Sequence, residues 1–179
     1  NAIKAYKKVA DNFGIGADYA QFQAAMSFGL VKENENKIQA LKDLVANFEL
    51  SSYKDDALFQ LGNTYALLKR NDEAHKAYQQ LLKNHAKSFY NPNALLRNGL
   101  LYYNDDENQK ALKNFKEIVA KFPNSEEAKQ AVKNARNVYV DLGSVDEYAT
   151  WVKTISFANV TDADLDNTMY ESAENKFIE

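Results

Sequence analysis

Apolar residues recur along most of this chain at spacings of three and four residues, which is the pattern of helices with one buried face. The clearest apolar stripe runs from Ala57 to Leu68, and a polar break at residues 69–72 follows it. A second stripe of the same kind then runs from Ala74 to Leu82. Similar polar breaks divide other stretches of the chain, at residues 34–36, 104–108 and 143–144. The pattern predicts pairs of helices joined by short polar loops.

The helix pairs repeat along the chain with a step of 37 residues. Four columns of like residues keep this step: Ser51, Ser88 and Ser125; Leu44, Leu81 and Ile118; Leu41, Tyr78 and Phe115; and Ala25, Gly62 and Gly99. Several independent columns with one period indicate a true internal repeat. A small residue where two helices cross lets their backbones approach, and an aromatic residue fills the space beside it. We therefore expect an α-solenoid, an all-α fold of stacked antiparallel helix pairs.

The repeat predicts a single array over residues 1–179. Its segments are the second helix of a truncated repeat at 1–13, helix pairs at 17–49, 53–86, 90–123 and 125–156, and the first helix of a truncated repeat at 161–179. The sequence begins with neither a methionine nor the layout of a signal peptide. We therefore expect it to be part of a longer protein.

Three residue pairs with capping-box spacing predict helix starts: Asp106 with Gln109, Ser144 with Glu147, and Thr161 with Asp164. The last of these overlaps an alternation of aspartates at 162, 164 and 166 that is typical of the opening of a calcium loop. Asn167 and Ala173 stand where such a loop needs glycine and glutamate. A capped helix start explains this segment better, and no metal site is predicted.

The helix pair resembles the tetratricopeptide repeat, which has a large residue, leucine, a small residue and an aromatic on its first helix, then a small residue and an aromatic on its second. One unit fills these positions with Leu58, Leu61, Gly62, Tyr65, Ala74 and Tyr78, and it has Ala86 where the family usually ends in proline. The next unit has Leu95, Gly99, Tyr102, Ala111 and Phe115, and it ends in Pro123. The second departs at Asn98, where leucine is expected. The repeat has one small position on each of its two helices. The first full unit has Lys37 at the second of them, and the last unit has Arg136 at the first and Tyr148 at the second. The resemblance implies a right-handed superhelix.

The 37-residue step is similar to that of bacterial envelope members of this family, such as outer-membrane assembly lipoproteins and periplasmic coordinators of envelope constriction. The resemblance implies a non-catalytic scaffold that binds a protein or peptide partner in the concave groove. It also implies a place in a larger bacterial multi-repeat protein. The periplasm or cell envelope is the location it favours, with the cytoplasm as the alternative.

The groove of this family is lined by the first helix of each unit. By analogy the inward-facing residues are Tyr19, Phe22, Met26, Phe59, Asn63, Leu96, Arg97, Leu100, Lys133 and Asn137. The apolar members would form the floor of the groove, although several could instead pack between repeats. Lys133 and Asn137 match the first two positions of the carboxylate clamp of chaperone-binding members. Glu171 stands where that clamp needs its next asparagine, so we expect no complete clamp.

Composition argues against an enzyme, a cofactor protein or a nucleic-acid binder. The chain has no cysteine, and its two histidines, His75 and His85, lie about 15 Å apart along a helix, so they cannot share a site. No glycine-rich phosphate loop occurs. The net charge is −3 without a basic stripe, which disfavours nucleic acid. The apolar runs are far shorter than the roughly 20 residues of a membrane span, so we expect no membrane insertion by this segment.

A second function is open from the sequence, namely a structural spacer or a rod that associates with its own copies. Both predicted ends of the array are truncated repeats, and their apolar residues would lack part of their usual cover. These residues are Ile3, Tyr6, Val9, Met169, Tyr170 and Phe177. Unpaired repeat faces favour end-to-end stacking.

Overall fold

The computed structural model describes residues 2–12 and 14–178, with side chains as far as residue 175. These residues contain ten α-helices and no strand, which confirms the predicted all-α class. The helices are α1 (Ala2–Ala10), α2 (Ala17–Leu30), α3 (Asn34–Asn47), α4 (Lys54–Leu67), α5 (Asn71–Asn84), α6 (Asn91–Asn104), α7 (Asn108–Lys121), α8 (Glu126–Asp141), α9 (Val145–Val152) and α10 (Asp162–Ile178). The last residue of the predicted segment 1–13 and the predicted role of the Phe177 side chain lie outside the described residues.

The chain divides into two compact units, with the boundary between Asn91 and Pro92. In unit 1, each of the helices α1 to α5 packs on its neighbour in the chain. In unit 2, α7 packs on α8, and α8, α9 and α10 pack on one another. The first helices α2, α4 and α6 begin at residues 17, 54 and 91, so successive starts are 37 residues apart.

The turn after the first helix has the same backbone conformation in all four helix pairs. One residue in each turn has a positive φ: Lys32 at 61°, Lys69 at 57°, Asp106 at 59° and Gly143 at 65°. The residue that follows donates its N–H to the carbonyl five residues earlier, as Arg70 does to Tyr65 at 2.9 Å. This is the Schellman ending of a helix. The fourth pair therefore keeps the turn of the repeat although its helix-crossing residues differ.

Glycines lie where the two helices of a pair cross. A Cβ atom added to Gly62 would lie 2.6 Å from Cδ1 of Tyr78 and closer still to Cε1. A Cβ atom added to Gly99 would lie 2.6 Å from Cε1 of Phe115. The two aromatic rings are fully buried. The predicted pairing of a small residue with an aromatic one is therefore present at both crossings.

Lys37 takes the small position of the first helix pair and is only partly buried. Its Nζ donates to Oε1 of Gln60 at 3.0 Å, and burial lowers the pKa of its ammonium group. The stem lies along Gly29, where an added Cβ would be 3.1 Å from the lysine Cδ. A glycine on the neighbouring helix thus makes room for the long side chain.

Arg136 takes the place of the crossing glycine in the fourth pair and reaches outward to α10. Its Nε donates to Oγ1 of Thr168 at 2.9 Å, and its guanidinium also pairs with Glu171. Ser172 on the same helix donates to the carbonyl of Val140 at 3.1 Å. The side chain at this position of the fourth pair therefore makes polar contacts with α10, in place of the close packing that the glycines of the other pairs allow.

One of the three predicted capping boxes is confirmed. Thr161 and Asp164 bond reciprocally at the start of α10, and the hydrogen bonds that the hydroxyl and the N–H of Thr161 donate to the Asp164 carboxylate lower the pKa of that carboxyl. The prediction for Asp106 is wrong, because this residue is the left-handed residue of a turn and α7 begins only at Asn108. Ser144 directly precedes α9, as predicted, but its side chain makes no capping bond.

Candidate functional site

The first helix of each pair carries a row of four side chains at spacings of three, four and four residues, which places them along one helix face. We call each row a first-helix stripe. The stripes are Tyr19, Phe22, Met26 and Leu30 on α2; Asp56, Phe59, Asn63 and Leu67 on α4; Asn93, Leu96, Leu100 and Asn104 on α6; and Gln130, Lys133, Asn137 and Asp141 on α8. Nine of the ten predicted groove residues lie on a stripe, and Arg97 lies beside one.

The stripe of α2 is apolar over its whole length. Tyr19 is exposed, Phe22 and Met26 are half-buried, and Leu30 is 85% exposed. Leu30 was not among the predicted residues, although it lies one further turn along the same helix face as Met26. Leu67, which is 72% exposed, was also not predicted, although it lies one turn beyond Asn63 on the same face of α4.

Two tyrosines from the loops between repeats cover the phenylalanines of the stripes in unit 1. Tyr53 stacks on Phe22, with ring centroids 5.6 Å apart and an interplanar angle of 17°. Tyr90 stacks on Phe59 at 4.7 Å and 19°. Phe59 is only 8% exposed, so it supports Tyr90 and supplies little surface of its own. Neither tyrosine was predicted as a site residue, although the two lie 37 residues apart and two residues beyond the serine column.

A serine beside each tyrosine ties the same loop to the preceding first helix. Ser51 Oγ donates to Oδ2 of Asp18 at 2.8 Å, and Ser88 Oγ donates to Oδ2 of Asp55 at 2.7 Å. We call each serine–aspartate bond with its stacked tyrosine a loop clasp. The serine column of the sequence therefore has a physical role in unit 1.

The second clasp has an additional bond. The hydroxyl of Tyr90 donates to Oδ1 of Asp56 at 2.5 Å. This bond and, to a smaller extent, burial raise the pKa of Tyr90 to about 12. Tyr90 therefore stays protonated at neutral pH and holds one oxygen of a stripe carboxylate.

Asn63 is held in one orientation by the second helix of its own pair. The fully buried Tyr78 donates its hydroxyl to Oδ1 of Asn63 at 2.8 Å. Because the amide oxygen is engaged, the Nδ2 group is the donor of this half-buried side chain that hydrogen bonds within the described residues leave unused. Unit 1 thus has an oriented amide on α4 as well as the apolar stripe of α2.

The stripes of unit 2 are more polar. Leu96 and Leu100 are half-buried on α6, and the exposed Arg97 donates Nε to Oδ1 of Asn93 at 2.8 Å. On α8, Lys133 and Asn137 are exposed and bond to no group in the described chain. The predicted residues of this unit therefore supply a small apolar area and a polar row.

The described residues contain no group of three or more histidine, aspartate or glutamate side chains arranged to hold a metal ion. Among the described helices, none has the length and apolar character needed to cross a membrane. The stripes are thus the chief candidate surfaces, and their chemistry is apolar contact and hydrogen bonding.

The family model for the tetratricopeptide repeat matches residues 56–88 and 93–125. The first match covers almost all of α4 and α5, and the second covers almost all of α6 and α7. The chain is a tetratricopeptide-repeat protein. The two matches begin 37 residues apart, as the first helices do.

Solved structures share the tetratricopeptide-repeat fold with this chain at low sequence identity. A crystal structure of MamA is 19% identical, with a TM-score of 0.66 over 99% of this chain and 90% of that one. A tetratricopeptide-repeat protein from Parabacteroides merdae is 16% identical, with a TM-score of 0.70 over 90% of this chain and 60% of that one. No curated protein matches the sequence. The repeats make the chain a protein-interaction scaffold in general terms, of a fold that is typically non-catalytic.

Proposed function

We propose that this tetratricopeptide-repeat protein is a non-catalytic scaffold that binds a segment of a partner protein on its first-helix stripes. The observation that supports this most directly is the exposure of the apolar stripe of α2, above all of Leu30. Exposed apolar rows with polar surroundings are typical of interaction surfaces. Burying a leucine side chain of this kind contributes about 1.5–3 kcal/mol.

The polar stripe of α8 would contribute orientation more than affinity. Lys133 and Asn137 are exposed, so a hydrogen bond or ion pair to either one is worth little in free energy. In unit 1 the stacked rings of Phe22 and Tyr53 supply a firm base for an apolar contact. We therefore assign most of the binding energy to unit 1.

The test compares a change of two exposed leucines on the stripes with a change of one exposed leucine in a loop. Peptides are selected from a random phage-displayed library on the immobilised protein, and their affinities are measured by fluorescence anisotropy. The double variant Leu30→Ser, Leu67→Ser should bind at least about tenfold more weakly, because two apolar contacts are lost. The control Leu50→Ser changes a side chain that is 98% exposed but lies in a loop and belongs to no stripe. Equal affinities in the two variants would contradict the proposal.

Self-association is the second candidate function. Met169 and Tyr170 are exposed next to each other on α10, and Val9 is exposed on α1. Apolar side chains at these positions are suited to contacts between copies of the chain. Light scattering at high concentration should then give more than one chain per particle, and Met169→Ser, Tyr170→Ser should reduce that number. A strict monomer would speak against this function.

The wider setting is a prediction from the family resemblance. It places the chain within a larger bacterial multi-repeat protein of the periplasm or cell envelope, with the cytoplasm as the alternative. Fractionation of cells that produce the parent protein, with an antibody against this segment, would test the location.

A further inference from the structure

A pocket in unit 1 lies on the side of α2 that faces away from its stripe. It is a cavity of about 80 Å³ between α1, α2 and α3, and the residues of α2 that line it include Ala24 and Phe28. With 3.6 residues per turn, these two positions lie on the opposite side of the helix from Phe22 and Met26. The pocket is therefore separate from the surface to which the proposed function assigns the partner.

The fourth helix pair shows what occupies the corresponding space in unit 2. Trp151 on α9 lies three repeat steps of 37 residues beyond Ala40, which lines the pocket on α3. Its ring lies 6.4 Å from that of Tyr139 on α8, and the Nζ atom of Lys116 on α7 lies 5.8 Å from its centroid. Tyr139 is likewise three repeat steps beyond Phe28. An indole therefore occupies in unit 2 the position that is open in unit 1.

A second position of the repeat explains why the first pair has this space. The residues at this position of the four pairs are all buried: Ala24, Leu61, Asn98 and Ala135. In the fourth pair the small Ala135 occurs together with the large Trp151. In the first pair Ala24 occurs together with Ala40, and the pocket beside them is open. The fourth pair thus compensates a small residue with a ring, and the first pair does not.

The charges at the pocket are complementary to an aromatic ring. Lys7 on α1 lines the pocket and forms no ion pair in the described part of the chain. Asp43 on α3 also lines it; its Oδ1 accepts from Gln39 at 2.7 Å, and its Oδ2 bonds to no group among the described residues. An aromatic ring has a negative face, which attracts an ammonium group, and a positive edge, which attracts a carboxylate. The N–H of an indole strengthens the second attraction.

We infer that the pocket between α1 and α3 binds an aromatic side chain of a partner protein, tryptophan above all, with its face toward Lys7 and its edge toward Asp43. Pockets that take a whole small ligand have roughly 300–1,000 Å³. The cavity here is smaller, so it suits one side chain whose outer edge stays at the mouth. The inference goes beyond the proposed function, because no residue of the pocket belongs to a stripe, and either one can fail without the other.

A tryptophan introduced on α3 tests the space without a ligand. Ala40→Trp repeats in unit 1 the arrangement of Trp151, so the variant should melt at the same temperature as the wild type or higher. The matched control is Ala77→Trp at the equivalent position of α5, where the buried Leu61 takes the place of Ala24. This control should lower the melting temperature by about 3–10 °C, because the core is overpacked. Circular dichroism measures both, and a loss at Ala40→Trp as large as that at Ala77→Trp would overturn the inference.

The binding probe is N-acetyl-tryptophanamide, which presents the side chain as a polypeptide does. Titrated into the isotope-labelled protein, it should shift the NMR signals of Ala24 and Ala40 with a Kd on the order of 10 mM, whereas N-acetyl-leucinamide should not. Lys7→Met should weaken binding about two- to fivefold, because the cation is lost. The control Lys8→Met changes an exposed neighbour outside the pocket and should leave the affinity unchanged. Ala40→Trp should abolish the shift at Ala24.

Three outcomes of the titration count against the inference. Equal shifts with the two amides, or no shifts with N-acetyl-tryptophanamide, would overturn it and leave the proposed function standing. Free indole that binds where N-acetyl-tryptophanamide does not would show that the pocket takes a small molecule, which also overturns the inference. The stripe variant Leu30→Ser, Leu67→Ser should bind N-acetyl-tryptophanamide as the wild type does, so the two surfaces are tested separately.

Discussion

The loops between repeats use the same serine column in two different ways in the two units. In unit 1, Ser88 donates to Asp55 on the preceding first helix. In unit 2, the equivalent Ser125 accepts from the N–H of Ala128 and so caps its own helix. The difference follows from Pro92, which occupies the position of Asp55 and offers no acceptor. A repeated residue in a sequence therefore does not imply a repeated contact.

The first-helix stripes also differ between the units, in how many apolar side chains they carry. The stripe of α2 has four apolar side chains, whereas that of α8 has none. Two predicted residues of α2, Tyr19 and Phe22, lie against the ring of Tyr53, while the predicted residues of α8 are exposed. Clasped loops and apolar stripes thus occur together in unit 1, which is consistent with assigning most of the partner contact to that unit.

The largest expected effect on stability comes from enlarging Gly62 in unit 1, and the change compared with it is at Arg136, the equivalent position in unit 2. Gly62→Leu should lower the free energy of unfolding by about 1–3 kcal/mol, because its side chain must displace the buried ring of Tyr78. Arg136→Leu should cost less, about 1 kcal/mol, since it removes a partly exposed ion pair and a hydrogen bond. Urea unfolding followed by circular dichroism measures both. A larger loss for Arg136→Leu would show that the polar contacts of Arg136 contribute more to stability than the close packing at Gly62.

The glycine crossings could be predicted because a steric requirement fixes the residue type. At Gly62 and Gly99 the partner ring leaves no room for a Cβ, so the column is visible in the sequence. The shared turn could not be predicted in the same way, since Lys32 and Lys69 adopt a positive φ that their residue type disfavours. There the tertiary packing of the two helices overrides the local preference.

A carboxylate placed at each serine tests whether Ser88 and Ser125 have different roles. Ser88→Asp should destabilise the protein by about 1–2 kcal/mol, because it removes the donor and faces Asp55 with a like charge. Ser125→Asp should change stability by less than about 0.5 kcal/mol, since aspartate and serine cap helices equally well. The same urea titrations provide the values. Equal losses at the two positions would mean that the serines have one common role.

The candidate site was predictable in position but not in exposure. The helical spacing places Phe59 on the same face of α4 as the other stripe residues, but only the structure shows that the ring of Tyr90 covers it. A ring supplied by a loop depends on the path of that loop, which no helical periodicity describes. Leu30 and Leu67, in contrast, could have been found by extending the stripe by one turn.

A smaller effect tests the turn that the two units share. Lys69→Gly should stabilise the protein by about 0.5 kcal/mol, because the relief of a left-handed conformation exceeds the extra chain entropy of glycine. Gly143→Ala should destabilise it by about 1 kcal/mol for the converse reason. Thermal melts of both variants are sufficient. If Lys69→Gly destabilises the protein, contacts of the lysine stem must outweigh the strain of the turn.

The smallest expected effect is a loss of stability at alkaline pH, and it distinguishes two tyrosine–aspartate hydrogen bonds. The pKa of Tyr90 in unit 1 and the pKa of Tyr103 in unit 2 are each raised to about 12, the first chiefly by the bond to Asp56 and the second chiefly by burial. Between pH 10 and pH 12 the unfolded chain therefore binds fewer protons at these groups than the folded chain. Their stabilising contribution is complete below pH 10 and is lost as the pH rises through 12.

The hydroxyl of Tyr103 donates to Oδ2 of Asp141, as that of Tyr90 does to Asp56, so removing each acceptor should separate the two causes. Asp56→Asn should bring the pKa of Tyr90 down and reduce the loss of stability between pH 10 and pH 12, while Asp141→Asn should alter that loss less, because burial of Tyr103 persists. Both rings are only partly buried, so solvent screening keeps the effects small. Urea midpoints at pH 9 and pH 11.5 for the wild type and both variants measure them. If the two variants behave alike, burial governs Tyr90 as well, and the clasp of unit 1 owes its alkaline sensitivity to packing.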